Sequence, residues 1–122
     1  FMSNNVNKVI LVGHVGKNPE VKSFENGGKL VQVSLATKET WKDAAGAKQE
    51  QTEWHQVVVR KGSGVNYMEQ FVKKGMLLYV EGRLKSKSYK SKSGEEKSVT
   101  EIVADEVSIL QSAKKSEEVT AA

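Results

Sequence analysis

A row of alternating cations that ends in an aromatic residue is the feature of this sequence with the clearest chemical meaning. The row consists of Arg83, Lys85, Lys87 and Tyr89, each two residues from the next. Because the side chains of a β-strand alternate between its two faces, all four would share one face. Cations at this spacing can follow the phosphates of a nucleic-acid strand, and an aromatic ring can stack on a base. A soluble edge strand protected by its lysines is the alternative.

The charge of the whole chain is concentrated in the same segment. The 122 residues include 19 Lys and Arg and 15 Asp and Glu, a net charge of +4. Residues 83–97 hold six cations and two acids, so this segment alone has a net charge equal to that of the chain; Lys90 and Lys92 belong to it. Such clustering is typical of proteins that bind a polyanion. A solvated lysine-rich loop is the alternative that charge alone leaves open.

Two tryptophans are further candidates for base stacking. By alternation Trp54 shares a strand face with Arg60, opposite Val57 and Val59, so valines that point into a core would turn Trp54 outward. Trp41 stands at the start of a polar stretch, where no apolar run exists to bury it. A base that stacks on an exposed aromatic ring contributes about 1–3 kcal/mol. The alternative for Trp54 is a structural plug at one end of a barrel.

Residues for catalysis or metal binding are scarce. Cys is absent, which excludes disulfides, thiolate metal sites and cysteine nucleophiles. The two histidines, His14 and His55, are too few for a multi-histidine metal cage, and neither lies in a recognisable acid–base motif. The spacing of a P-loop is absent as well. The sequence therefore predicts a binding domain that is not an enzyme and that uses no metal and no cofactor.

Short strands separated by turns must position these residues. Helical spacing occurs only over residues 65–74, where Gly75 is expected to end the helix. The polar residues 39–51 are predicted to form a long flexible loop, and the last strand is predicted to bend near Asp105. Strands are predicted over residues 6–15, 30–37, 52–60, 76–84 and 99–110, with a shorter one at 20–24.

The five longer strands, with one short helix between the third and the fourth, predict an all-β fold. This order of elements is that of the five-stranded antiparallel Greek-key OB barrel. A small SH3-like barrel is the competing architecture. Residues 6–111 are predicted to form this single domain. Residues 1–5 are expected to be disordered, with Phe1 a cloning remnant before Met2, and residues 112–122 are expected to form a frayed tail. The chain lacks the ~18–20 consecutive apolar residues of a membrane span and a secretory signal, so a cytoplasmic protein is expected.

Seven short motifs then occur in a characteristic order. They are residues 6–13, residues 18–21, Asn26-Gly27-Gly28, residues 35–37, Gln51-Thr52-Glu53-Trp54-His55, Lys73-Lys74-Gly75 and residues 79–84. In this order, over roughly residues 6–111, the chain resembles the bacterial single-stranded DNA-binding proteins. The resemblance implies an OB-fold homotetramer, a dimer of dimers, that coats and protects single-stranded DNA without sequence specificity. It also implies a nucleoid-associated role in replication, recombination and repair.

The resemblance assigns roles to individual residues. Trp41 and Trp54 match the base-stacking tryptophans of the family, and Tyr89 matches a third stacking site that is usually Trp. Lys74 and Lys87 fall where the family keeps lysines that contact the DNA backbone. The residues expected to pair with phosphates are Arg60, Lys61, Lys74, Arg83, Lys85, Lys87, Lys90 and Lys92. Those expected at subunit contacts are Val6, Lys8 and Ile10 of the first strand and His55.

The chain departs from the family pattern at two places. Arg60 stands where the family often has an aromatic residue, although a guanidinium plane can stack on a base and meet a phosphate. Family members usually continue into a disordered linker and an acidic tip that recruits replication and repair enzymes, whereas this chain ends at Ala122. Those partners are expected only if the full-length protein carries such a tip. An RNA-binding OB module of the cold-shock kind and a primosome-type accessory or protein-interaction OB domain are the alternative functions.

Overall fold

The computed structural model describes residues 4–112. The cloning remnant predicted at Phe1 and almost all of the predicted tail lie outside the described residues. The elements are β1 (Val9–Val15), β2 (Glu20–Ser23), β3 (Lys29–Lys42), β4 (Lys48–Val59), α1 (Gly62–Phe71), β5 (Leu77–Lys90) and β6 (Glu96–Gln111). Helix α1 has ten residues, and within residues 4–112 no helix is long and apolar enough to cross a membrane.

Five of the strands close into a barrel. Their order is β1-β5-β6-β4-β3, and β3 returns to β1 through the pairs His14–Ala36 and Val15–Leu35. Neighbouring strands are antiparallel except β4 and β6, which run parallel through the pairs Val57–Ile102 and Val58–Val103. The short β2 lies beside the first residues of β3. With α1 between the third and fourth barrel strands, the predicted OB barrel is confirmed.

The core follows from the alternation of β-branched and aliphatic residues along the strands. In β3, Val31, Val33 and Leu35 are at most 3% exposed, so they face inward as predicted. Helix α1 adds Val65 and Met68 at helical spacing, and Met68 is 0% exposed. The core cluster consists of Val15, Val31, Val33, Leu35, Val57, Val59, Val65, Met68, Val72, Leu78, Val80, Ile102 and Ala104.

The predicted bend near Asp105 is a β-bulge. Glu81 pairs with Glu106 and Gly82 with Ala104, so Asp105 has no partner on β5. An extra residue in one strand reverses which side chains face inward beyond it. The core residues of β6 are accordingly even-numbered before the bulge, at Ile102 and Ala104, and odd-numbered after it.

Three predictions about loops and ends are wrong. Residues 39–51 do not form a long loop, because β3 and β4 stay paired out to Lys42–Lys48. Helix α1 ends earlier than predicted, with Val72 as its C-cap, and Gly75 lies in the following turn with a φ of 90°. Strands β5 and β6 also continue beyond the barrel as a long hairpin that reaches the pair Lys90–Glu96.

Candidate nucleic-acid interface

The alternation that fills the core places a second set of side chains on the opposite side of the sheet, which we call the outer face. The pairs Ala36–Trp54 and Ser34–Gln56 join β3 to β4, and Lys85–Glu101 joins β5 to β6. The parallel pair Val58–Val103 joins β4 to β6 on the same face. The outer face therefore crosses four strands, and it consists of Gln32, Ser34, Ala36, Trp54, Gln56, Val58, Lys97, Val99, Glu101, Val103, Arg83, Lys85, Lys87 and Tyr89.

The cationic row forms the β5 margin of the outer face. Arg83, Lys85 and Lys87 are exposed, and none of them makes an ion pair with another residue of the described chain. Tyr89 ends the row and is 48% exposed. Lys97, which the sequence reasoning missed, is the cross-strand partner of Tyr89 and adds a further cation to this face. The row is thus available to an anionic ligand.

Trp54 lies on the same face, two strands away from the cations. Its side chain is 59% exposed, so it does not plug the barrel. A Cβ atom built at Gly16 would lie 2.4 Å from Cζ3 of the indole, so the ring packs against the bare backbone of Gly16. Gly16 itself is held to the sheet, because its N–H donates to the Ser34 carbonyl at 2.9 Å. One side of the indole is thereby supported while much of the ring stays accessible.

Trp41 is exposed as predicted, at 45%, but it points to the other side of the β3–β4 hairpin. Trp41 pairs with Gln49, whereas Ala36 of the same strand is the partner of Trp54. Trp41 and Ala36 are an odd number of residues apart in β3, so their side chains point to opposite faces of the strand. Strand register therefore separates the two indoles, and the structure brings only Trp54 together with the cationic row.

The tip of the β3–β4 hairpin is organised by Asp43. Its Oδ1 accepts hydrogen bonds from the N–H groups of Ala45 and Ala47, both at 2.9 Å. Its Oδ2 accepts from Gln49 Nε2 at 3.1 Å. The hydrogen bond from the Ala47 backbone is the main cause of the lowered pKa of Asp43, followed by that from the Gln49 side chain. Because Gln49 is the partner of Trp41, the same carboxylate orders the strand beside that indole.

Further predicted cations lie around the edges of the outer face. Arg60 and Lys61 follow β4, and Lys61 is the N-cap residue of α1. The backbone N–H of Lys74 donates to Asn18 Oδ1 at 2.8 Å, which ties the turn after α1 to the β1–β2 loop. That loop contributes Lys17, which the sequence reasoning did not select. The loop borders an open cleft lined by Lys17, Asn18, Glu20, Gln32, Val33, Ser34 and Gln56.

The residues predicted at subunit contacts form two groups. Ile10 of β1 is 55% exposed. Val6, which is 89% exposed, and Lys8, which makes an ion pair with Glu81 at 3.4 Å, precede β1, because the strand begins at Val9 and not at residue 6 as predicted. His55 lies elsewhere and is half-buried, where its Nε2 shares a hydrogen bond of 2.9 Å with Thr37 Oγ1.

A short polar chain runs beside the first group. Tyr79 donates its hydroxyl hydrogen to Glu81 Oε1 at 2.9 Å. This bond is the main cause of the raised pKa of Tyr79 and of the lowered pKa of Glu81. The charge of Lys8 lowers the pKa of Glu81 further.

Within residues 4–112, no group of three or more His, Cys, Asp or Glu side chains is placed to hold a metal ion. The chemistry available on this surface is stacking, hydrogen bonding and charge pairing.

Comparison with known proteins points to one family. The model of the single-strand binding protein family matches residues 6–110. Proteins named single-stranded DNA-binding protein from Rickettsia felis and Rickettsia typhi are each 45% identical to this chain over 103 residues, which is 84% of this chain and 68% of theirs.

Solved structures agree with the sequence comparison. A Plasmodium falciparum SSB in complex with ssDNA is similar to this chain with a TM-score of 0.82 and 29% identity, covering 91% of this chain and 100% of that one. A deletion mutant of the single-stranded DNA binding protein from Thermus aquaticus is similar with a TM-score of 0.74 and 25% identity, covering 87% of this chain and 51% of that one.

Proposed function

The chain belongs to the single-strand binding protein family, and we propose that it coats and protects single-stranded DNA without sequence specificity during replication, recombination and repair. The observation that carries this proposal is the outer face. An indole that is 59% exposed shares one side of the sheet with a row of cations that form no ion pair within residues 4–112. Stacking on the ring and pairing with phosphates are both independent of base identity. The proposed function contains no catalytic step.

The register of the strands suggests how the ligand lies. Phosphates follow Arg83, Lys85 and Lys87 along β5, and bases project across β6 and β4 toward Trp54. Tyr89 provides a stacking site at the far end of the row, on the hairpin. Further phosphates pair with Arg60, Lys61, Lys74, Lys90 and Lys92.

Trp41 requires a longer path for the DNA. Because Trp41 points to the opposite side of the β3–β4 hairpin, a strand that stacks on both indoles must pass around the edge of this hairpin. A wrapped rather than straight path follows, which agrees with a protein that coats its ligand. Binding by the single domain of residues 6–111 therefore uses both sides of the hairpin.

We also propose that the protein assembles as a homotetramer, a dimer of dimers. Strand β1 pairs with β5 along Val9–His14 but with β3 only at His14 and Val15, so one edge of residues 9–13 has no strand beside it in residues 4–112. Ile10 and Val12 are exposed next to this edge. Two copies of β1 can pair there, with Val6 and Lys8 extending the contact, and His55 lies at a second contact.

The proposed location is the cytoplasm, in association with the nucleoid, since the proposed ligand is DNA. Replication and repair enzymes are partners only through an acidic C-terminal tip of a longer form of the protein.

A fluorescence titration with oligo-dT over a series of salt concentrations tests the proposed function. We expect the indole emission to quench on binding. We also expect log K to fall linearly with log salt, with a slope of about −0.7 for each phosphate neutralised. Unchanged emission together with salt-independent affinity would refute it.

Variants and competitors separate the alternatives. Trp54→Ala should weaken oligo-dT binding by roughly tenfold or more, because each stacked base contributes about 1–3 kcal/mol. An OB domain that serves only protein contacts would tolerate this change. Preferential competition by RNA over DNA of the same sequence would favour an RNA-binding module instead, since the 2′-hydroxyl is what distinguishes the two.

A further inference from the structure

His14 lies on the same side of the sheet as Trp54 and in line with it. His14 of β1 pairs with Ala36 of β3, and Ala36 pairs with Trp54 of β4. Because residues directly opposite each other in neighbouring strands point to the same face, the three side chains form one row across three strands. His14 is exposed, and its imidazole makes no hydrogen bond and no ion pair with any other residue within residues 4–112. The ring is therefore accessible to a ligand.

The indole of Trp54 reaches across this row toward the strand of His14. Its six-membered ring packs against Gly16, which follows β1 and lies two residues beyond His14. Residues two positions apart along an extended segment are about 6.6–6.8 Å apart and point to the same side. The residue between His14 and Trp54 in the row is Ala36, whose side chain is a single methyl group. The imidazole and the indole accordingly line one open groove.

The lining of this groove suits a base better than a phosphate. Val12, Ala36 and Leu77 contribute apolar side chains to it. Lys38 is the one lysine among the lining residues of the described chain, and it already makes an ion pair with Glu50 at 3.3 Å. Aromatic side chains, histidine included, stack on the flat face that every base presents. A planar base is therefore the ligand that this groove accommodates.

Building on the proposed function, we propose that His14 is a further base-stacking residue, which holds the base next to the one stacked on Trp54. Stacking on a ring does not depend on base identity, so this role fits binding without sequence specificity. The groove opens where β3 parts from β1 after Ala36. This is the edge of the β3–β4 hairpin that a DNA strand must pass to reach Trp41, so His14 supplies a stacking site between the two indoles.

Three substitutions of this exposed residue separate stacking from other roles. His14→Ala removes the ring, and His14→Phe keeps a ring without its hydrogen-bonding nitrogens. His14→Gln is the matched control, because it keeps hydrogen-bonding groups without a ring. The affinity of each variant and of the wild-type protein for oligo-dT is measured at one salt concentration. Thermal melting and light scattering show whether each variant keeps the stability and the mass of the wild-type protein.

We expect His14→Ala and His14→Gln to weaken binding by roughly fivefold to tenfold, the lower end of what one stacked base contributes. His14→Phe should bind at least as tightly as the wild-type protein, and all three variants should keep its melting temperature and mass.

Two patterns of affinity would overturn the assignment. Full affinity of His14→Gln with a loss in His14→Phe would mean that the imidazole acts through hydrogen bonds, and equal affinity of all four proteins would mean that it does not contact the DNA. A smaller mass of His14→Ala and His14→Gln would overturn it as well, because the residue would then belong to a subunit contact. If the wild-type protein did not bind oligo-dT, the proposed function itself would have failed.

Discussion

The two exposed tryptophans of this protein are held in position by different neighbouring residues. Trp54 is supported by Gly16, whose missing side chain leaves room for the indole, and the Gly16 N–H is in turn held by Ser34. Among the glycines of residues 4–112, none is shown in contact with Trp41, and its position depends on the strand pairing near the hairpin tip. The two stacking sites are thus positioned by different means, and they should respond to different substitutions.

Gly16→Ala tests the support under Trp54. The new methyl group would meet the far end of the indole, which can swing away, so thermal stability should change little while the stacking geometry is lost. We expect oligo-dT affinity to fall by roughly threefold to tenfold, a part of the free energy of one stacked base. Fluorescence titration and thermal melting measure the two effects. Gly62→Ala is the control, since a Cβ there meets open space, and equal losses in both variants would contradict this account.

At the scale of elements, the two long hairpins carry the ligand-binding groups beyond the barrel. Their polar arms were harder to predict than the barrel strands, because both faces of a protruding hairpin meet solvent and the alternation of apolar and polar residues disappears. In β3 the pattern is clear from Val31 to Leu35 and absent from Glu39 to Lys42. Only the observed register shows that these residues are paired and that Trp41 and Trp54 point to opposite sides.

Asp43 should control the order of the β3–β4 hairpin tip. Asp43→Ala removes three accepted hydrogen bonds, so we expect binding to weaken by a factor of about two to five through Trp41. Asp43→Asn keeps an oxygen for the two backbone donors and should lose less. The affinity of each variant for oligo-dT measures this. Equal losses in both variants would mean that the charge, and not the turn geometry, matters.

The pH dependence of the same hairpin follows from the lowered pKa of Asp43. A carboxyl whose folded pKa lies below its ordinary value of 3.8 stabilises the folded hairpin above about pH 4. This contribution is lost as the pH falls through the lowered pKa. Proton NMR of the Ala47 amide across this range should report loosening at acid pH in the wild-type protein. The same transition in Asp43→Ala would contradict the assignment.

Helix α1 should act on stability without acting on binding. Met68 is fully buried in the core and lies away from the outer face. Met68→Ala should lower the free energy of unfolding by about 2–5 kcal/mol, through lost burial and the cavity left behind. Urea denaturation measures this loss, and the affinity of the folded fraction for oligo-dT should stay within a factor of about two. A much larger loss of affinity would show that the helix positions the binding face.

For the molecule as a whole, the sequence alone predicted the barrel and much of the candidate site. Valine-rich alternation marked the core strands, and residues such as Arg83 and Trp54 could be placed outward by parity alone. The burial of Glu101, which is only 7% exposed, could not be predicted, because it depends on the parallel contact of β6 with β4, strands far apart in the chain. The position of Lys97 could have been predicted, because a turn at Ser93 and Gly94 places it opposite Tyr89 on the neighbouring strand.

Assembly is the property that belongs to the whole molecule, and Ile10 tests it. In the single chain Ile10 is 55% exposed, so Ile10→Lys should leave the fold intact. At a paired β1 edge the same change would place a cation in an apolar contact, losing about 1.5–3 kcal/mol of burial for each copy. We expect light scattering to give a four-chain mass for the wild-type protein and a smaller mass for the variant.

Phe24→Lys is the matched control for this experiment, because Phe24 is 49% exposed and follows β2, away from the free edge of β1. It should keep the four-chain mass. A four-chain mass in both variants would place the subunit contact elsewhere. If the smaller Ile10→Lys species still bound oligo-dT, but with fewer nucleotides per complex, the outer face of each chain would be a complete site. The wrapped path would then depend on how the copies of that site are arranged in the assembly.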